Sequence, residues 1–129
     1  MILIDTHVWI WLNSEPEKLS VTALARLQTE PRIAISAISV YETLLAIEKG
    51  RIASSVDPEV LVRRWLDPSD IVRIAVTEEA VIRARTLPFV HADPFDRIIA
   101  ATAAVEAAEL MTADRNLLSL NWLATVAAQ

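Results

Sequence analysis

Four short, largely apolar runs recur along this chain: Met1–Ile4, Ile33–Ser36, Ile71–Val76 and Glu109–Thr112. Between them lie stretches with helical spacing and helix caps, and this alternation constrains the fold more than any other feature. Strand–helix units in series predict a parallel sheet covered by helices on both faces, an α/β fold. Asp5 directly follows the first run and Asp114 stands just past the fourth. Ligand sites in such sheets lie outside the carboxyl ends of the strands. Both acids are therefore placed where chemistry is usually found.

The helices announce themselves by their caps. Ser20 opens one through about Gln28, with Val21, Leu24, Ala25 and Leu27 as its inner face, and Pro31 stops it. A longer helix follows Ser36 and ends near Gly50, the only glycine, in a good C-cap position. Asp57-Pro58 and Asp93-Pro94 each combine an N-cap acid with proline at the first helical position. The first opens a helix through about Leu66, and Thr77 caps another through about Thr86. Asp93 places Asp96 in a first helical turn, ahead of Ile98, Ile99, Ala101, Thr102 and Val105, a body suited to close packing on a sheet. Leu117, Leu118, Leu120 and Trp122 suggest a short helix, and Leu123–Val126 is either a last edge strand or a tail.

Composition narrows the partners. At 129 residues the chain is expected to form a single domain spanning 1–129, large enough to bury a core without staples. The absence of cysteine excludes disulfides and thiolate metal sites. No charge-free apolar run approaches the roughly 18 residues needed to span a bilayer, and Met1–Ile4 lacks the length and basic leader of a signal peptide. A cytoplasmic protein without membrane contact is expected. A net charge of −5 disfavours unaided binding to nucleic acid, because phosphate affinity is largely electrostatic. Cations held by acidic side chains would change that balance.

Two further acids belong with Asp5 and Asp114. Glu42 and Asp96 begin, or nearly begin, helices at the same edge of the expected sheet. Four acids gathered there would repel one another or take up protons, and a divalent ion removes that cost. Oxygen-only ligands suit magnesium or manganese. Two readings of Glu42 stay open. Ser39 and Glu42 have the spacing of a capping box, whereas a cap at Ser36 would leave Glu42 on the second turn, without capping duty. Asp5 likewise reads equally as a helix N-cap, with Thr6 either orienting it or capping the turn.

Asp5-Thr-His-Val-Trp-Ile-Trp-Leu, Ser39-Val-Tyr-Glu42, His91-Ala-Asp-Pro-Phe-Asp-Arg-Ile-Ile-Ala-Ala-Thr-Ala and Leu110-Met-Thr-Ala-Asp114 together resemble a PIN domain. More narrowly they resemble the toxins of bacterial VapBC-type toxin–antitoxin pairs, in the subgroup often found beside Phd/YefM-type antitoxins. The resemblance covers nearly the whole chain in the family's order. It implies a PIN-like three-layer α/β/α fold with a short parallel sheet of four to five strands.

It further implies Mg2+- or Mn2+-dependent hydrolysis of RNA phosphodiesters, with the acidic quartet falling on Asp5, Glu42, Asp96 and Asp114. Asp5, Asp96 and Asp114 become the expected metal ligands, and Glu42 either a holder of water or the base. Thr112 matches a hydroxyl residue that supports the last acid, and Asp93 an extra acid of the subgroup. Asn116 departs from the pattern, since many members carry an acid there, so one well-held metal is expected. Arg97 and Arg115, next to two of the acids, are candidates for RNA phosphate contact, against a plain role as solvent-facing helix residues. The implied partners are an RNA substrate, a small cognate antitoxin and a second copy of the chain, with Trp9, Trp11, Trp65 and Trp122 as possible interface residues.

Two rival classes stand beside this reading. A phospho-accepting receiver domain needs paired acids after the first strand and a late lysine; here Thr6 follows Asp5 and the only lysines are Lys18 and Lys49. A catalytically weak PIN-like binding module, or a solitary nuclease without an antitoxin, remains the alternative to a toxin.

Overall fold

A computed structural model describes residues 1–68, 70–90 and 93–129, so His91 and Ala92 of the late motif lie outside the described residues. In chain order the elements are β1 (Ile2–Ile4), α1 (Thr6–Ser14), α2 (Val21–Thr29), β2 (Ile33–Ser36), α3 (Ala37–Glu48) and α4 (Pro58–Leu66). They continue as β3 (Ile71–Ile74), α5 (Glu78–Thr86), α6 (Pro94–Val105), β4 (Glu109–Thr112), α7 (Arg115–Leu118) and β5 (Thr125–Ala127). A single 3-10 turn, Pro16–Lys18, links α1 to α2. All five strands are parallel, in the order β3-β2-β1-β4-β5. This is the expected α/β architecture, and the segment near the carboxyl end proves to be an edge strand.

The sheet order locates the site. From β1 the chain winds outward to β2 and β3, then returns to the other side of β1 to form β4. The connections after β1 and β4 leave in opposite directions, which opens a crevice between the carboxyl ends of two adjacent strands. Ile4 pairs with Met111 across that junction. The Asp5 N–H donates to the Met111 carbonyl at 3.1 Å, so Asp5 starts at the mouth of the crevice.

Core packing follows from alternation along the strands. Ile2, Ile4, Ile35 and Met111 join Val8, Trp9 and Leu27 on one face. Leu3, Ala34 and Leu110 join Ile99, Ala100 and Ala103 of α6 on the other. Both faces are covered, as three layers require. Small side chains at 100, 101 and 103, all buried, let α6 lie close to the sheet.

Three expectations about faces are corrected. Ala23 and Leu27, one helical turn apart, carry α2 into the core. Val21 and Ala25 each lie two residues, about 200°, from Ala23, so both face outward; Val21 is 84% exposed. Val105 at the end of α6 is 39% exposed, beyond the reach of the sheet. Residues Ala75 and Val76 lie past the end of β3. Of the tryptophans, Trp9 is fully buried and meets Trp65 edge-on at 5.7 Å, while Trp122 meets Phe89 edge-on at 5.1 Å and donates to the Pro88 carbonyl. These three are engaged in packing within the chain. Among the described residues, no helix is long and apolar enough to cross a membrane.

Two helices end in the same C-terminal motif. In α3, the Gly50 N–H donates to Ile47 and the Arg51 N–H to Ala46, with Gly50 at φ 72°. In α6, the Ala107 N–H donates to Ala104 and the Ala108 N–H to Ala103, with Ala107 at φ 52°. The left-handed conformation costs an L-residue about 1–2 kcal/mol. Glycine removes that strain and loses part of the gain to chain flexibility. Ala107→Gly is therefore expected to stabilise the fold by about 0.5–1 kcal/mol and to raise the thermal midpoint by about 2–4 °C. An unchanged or lower midpoint by calorimetry would refute this account of the α6 terminus.

Candidate active site

Five carboxylates gather at the crevice, each brought there by a local device. Asp5 is the N-cap of α1, its Oδ1 accepting from the Val8 N–H at 2.9 Å. Its Oδ2 accepts from the Thr112 hydroxyl at the end of β4. Asp114 caps α7 by accepting from the N–H groups of Asn116 (2.8 Å) and Leu117 (3.0 Å), and its own N–H donates to Thr112 Oγ1 at 3.0 Å. The Thr112 hydroxyl thus ties the first acid to the backbone of the last. The expected support of the last acid is found, but the carboxylate that Thr112 holds is that of Asp5.

Ser36 caps α3, accepting from the Ile38 N–H, which settles the open question about Glu42. Glu42 lies on the second turn and owes nothing to capping. Its Oε1 accepts from the Thr6 hydroxyl at 2.6 Å, and Thr6 Oγ1 also bonds Ser39 Oγ at 2.9 Å. Thr6 therefore positions Glu42, not Asp5, a correction to the expectation. The reason is distance in sequence: the partners are 36 residues apart and meet only because α1 packs on α3. Asp93 caps α6 through the N–H groups of Phe95 and Asp96, and Asp96 occupies the third helical position.

The electrostatics register this convergence. Asp96 is pushed up to about 7, first by partial burial and then by the charges of Asp93, Glu42, Asp114 and Asp5. Burial also raises Glu42, against the Thr6 hydrogen bond, with Asp93 and Asp5 adding to the rise. Burial raises Asp5 as well, opposed by its bonds from Thr112 and Val8. Like charges at close range and desolvation act in the same direction on all three.

Asp5, Asp96 and Asp114 line one cavity of about 210 Å3 together with His7, Trp11 and Ala113. Glu42 and Asp93 line a neighbouring groove of about 360 Å3, and His7 and Trp11 border both. A larger hollow of about 410 Å3 lies by α5, α6 and Trp122, but its charged pair, Glu79 and Arg83, is joined at 2.8 Å. Among the described residues, no three carboxylate or imidazole groups already stand close enough to clasp an ion. The donor set nonetheless fits a hard divalent cation, being all oxygen, with partly buried carboxylates crowded on one another.

On the sequence His7 reads as a polar helix-start residue outside the site and Trp11 as an interface residue, whereas both line the acidic cavity. They stand four apart on α1, the spacing of one helix face, with ring centroids 6.0 Å apart. That spacing, starting two residues after Asp5, was the available signal. Arg97 is turned toward packing, its guanidinium 5.0 Å from the Phe89 ring and within 3.5 Å of the Ala84 carbonyl. Arg115 is exposed at the start of α7.

The PIN-domain family model matches residues 2–123. Ribonuclease VapC22 of Mycobacterium tuberculosis is 34% identical over 121 residues, covering 92% of this chain and 90% of its own. Among solved structures, VapBC2 from Rickettsia felis bound to a promoter DNA fragment superposes with a TM-score of 0.73 at 20% identity over the full length of both chains. A toxin–antitoxin complex from Klebsiella pneumoniae gives 0.72 at 22% identity, covering 100% of this chain and 98% of that one. At those identities the structural matches speak for the fold. With the family model spanning nearly the whole length, the chain belongs to the PIN-domain family.

Proposed function

We propose that this chain is a metal-dependent endoribonuclease and the toxin of a toxin–antitoxin pair. The observation that carries the reading is the gathering of Asp5, Glu42, Asp93, Asp96 and Asp114 at one crevice, where partial burial and then the neighbouring charges push Asp96 up to about 7. The 34% identity to a VapC ribonuclease supplies the reaction class, and the Asp5-Thr-His and Asp93-Pro-Phe-Asp-Arg stretches support the toxin context.

Asp5, Asp96 and Asp114 would hold the cation, Mg2+ or Mn2+, with Asp93 capping the helix that presents Asp96. When bound, such an ion polarises a phosphoryl oxygen and makes water a stronger nucleophile. The remaining work belongs to the chain. Thr112 and the Val8 N–H fix both oxygens of Asp5, so its direction is set before substrate arrives. Thr6 occupies Glu42 Oε1 and leaves Oε2 to accept a proton from an attacking water. Raised by burial, Glu42 is a better proton acceptor than an exposed glutamate. Arg115, exposed beside Asp114, is the better placed of the two arginines for phosphate contact. A small antitoxin and a second copy of the chain complete the expected partners.

Purified chain should cleave RNA with Mg2+ or Mn2+, lose that activity in EDTA and regain it when the ion is restored. RNA left intact under all three conditions, by a folded chain free of antitoxin, would refute the proposal.

A further inference from the structure

The groove beside the acidic cavity has a charge distribution that the hydrolytic reading leaves unused. Glu42, Leu45 and Ala46 of α3 and Lys49 at its C-cap all line it. These positions follow the spacing of one helix face, which places Lys49 roughly 10 Å along the helix from Glu42. Arg51 lines the same groove from just beyond the helix end. Its position is set by the chain's one glycine: Gly50 at φ 72° turns the backbone, and the Arg51 N–H closes the motif on Ala46 at 2.9 Å. A Cβ at position 50 would meet nothing within 4 Å, so conformation and not space demands glycine there.

Other charges on the groove are accounted for. Lys18 pairs with Glu15 at 2.8 Å. Glu42 and Asp93 belong to the acidic crevice. Among the described residues, Lys49 and Arg51 form no ion pair. They are unpaired cations beside a crowded set of carboxylates, on a chain of net charge −5. A polyanion approaching that crevice is repelled by its carboxylates and attracted by these two cations.

We propose that the groove between α1 and α3 is the track for the RNA strand flanking the scissile phosphate, with Lys49 and Arg51 contacting its phosphates. This rests on the ribonuclease reading and adds a substrate path to it. His7 and Trp11 border both hollows, so the groove adjoins the acidic cavity and a strand leaving that cavity passes over these two side chains to reach it.

The test measures binding apart from cleavage. A fluorescent oligouridylate of roughly 12 nucleotides is titrated with the full chain in EDTA at several salt concentrations. Lys49→Ala with Arg51→Ala should weaken binding about tenfold and lower the salt slope by about 1.4, two single-strand contacts at roughly 0.7 each. The charge-conserving pair Lys49→Arg and Arg51→Lys should keep the wild-type slope. Arg63→Ala with Arg64→Ala, the same charge change at two exposed positions of α4, should have little effect.

Equal losses from the two alanine pairs would reduce the effect to net charge and overturn the proposal. So would wild-type binding by the Lys49/Arg51 variant. Polyglutamate of matched charge binding as tightly as RNA, with the same loss, would make the groove a site for acidic peptides and also overturn it. If the Lys49/Arg51 variant binds RNA normally while Asp96→Asn abolishes cleavage, the track fails and the nuclease stands. Wild-type cleavage by Asp96→Asn would sink the nuclease reading itself.

Discussion

Asp96→Asn is expected to reduce RNA cleavage at least about a hundredfold while making the metal-free fold more stable. A carboxylate that helps hold a catalytic cation is worth several kcal/mol at the transition state, and each 1.4 kcal/mol is tenfold in rate. Asparagine keeps the shape and offers a neutral oxygen, so what is lost is charge. The stability gain comes from the same source. Asp96 is partly buried and sits against Asp93, Glu42, Asp114 and Asp5, and its pKa is raised from 3.8 to about 7, first by burial and then by those charges. A group raised on folding binds its proton more tightly in the native state. Its favourable contribution is complete below about pH 4 and is lost as pH rises through about 7.

In chelator, the wild type should therefore lose stability between pH 4 and 8. The variant should lose less, its remaining slope coming from Asp5 and Glu42, which shift the same way. Water reaching the half-buried Asp96 screens the repulsion, leaving a difference on the order of 1–2 kcal/mol at pH 8. Denaturant titration at pH 5 and pH 8 reads it directly. An asparagine variant less stable than wild type at pH 8 without metal would show that neither burial nor the neighbouring acids penalise the Asp96 charge.

Much of this site was legible because caps are local. Asp5, Ser20, Asp57, Thr77, Asp93 and Asp114 each accept from an N–H two or three residues ahead, and that chemistry is written in adjacent letters. Strand order was not local, yet the alternation of strands and helices sufficed to bring the acids to one edge. What stayed hidden depended on partners far apart in the chain. Thr6 meets Glu42 across 36 positions, and Thr112 meets Asp5 across 107. The inner face of α2 was misread because Val21 and Ala25 have the right chemistry for a core and the wrong rotation. The groove escaped notice because α3 supplies Lys49, the turn after it Arg51, and α1 the aromatic wall.

Thr112→Val should cost about 3 kcal/mol, lower the thermal midpoint by about 10 °C and abolish most activity. The substitution keeps the β-branched shape that β4 favours, and Thr112 is fully buried, so packing is nearly unchanged. What disappears is one hydroxyl that serves two partners, the buried Asp5 carboxylate and the half-buried Asp114 N–H. The Asp114 N–H loses its acceptor, and Oδ2 of the buried Asp5 loses its donor. A hydrogen bond to a charged group is worth more than a neutral one, and a buried polar group left unmatched costs its full desolvation. The Thr112 bond favours the ionised form of Asp5, so the penalty should be larger at pH 8 than at pH 4, where protonation relieves the stranded carboxylate. Thr112→Ser, which restores the hydroxyl without the methyl, should recover most of the activity and the pH dependence. A valine variant as active and as stable as wild type would mean that Asp5 is held by something other than Thr112, and the preorganised acid on which the proposed chemistry turns would lose its support.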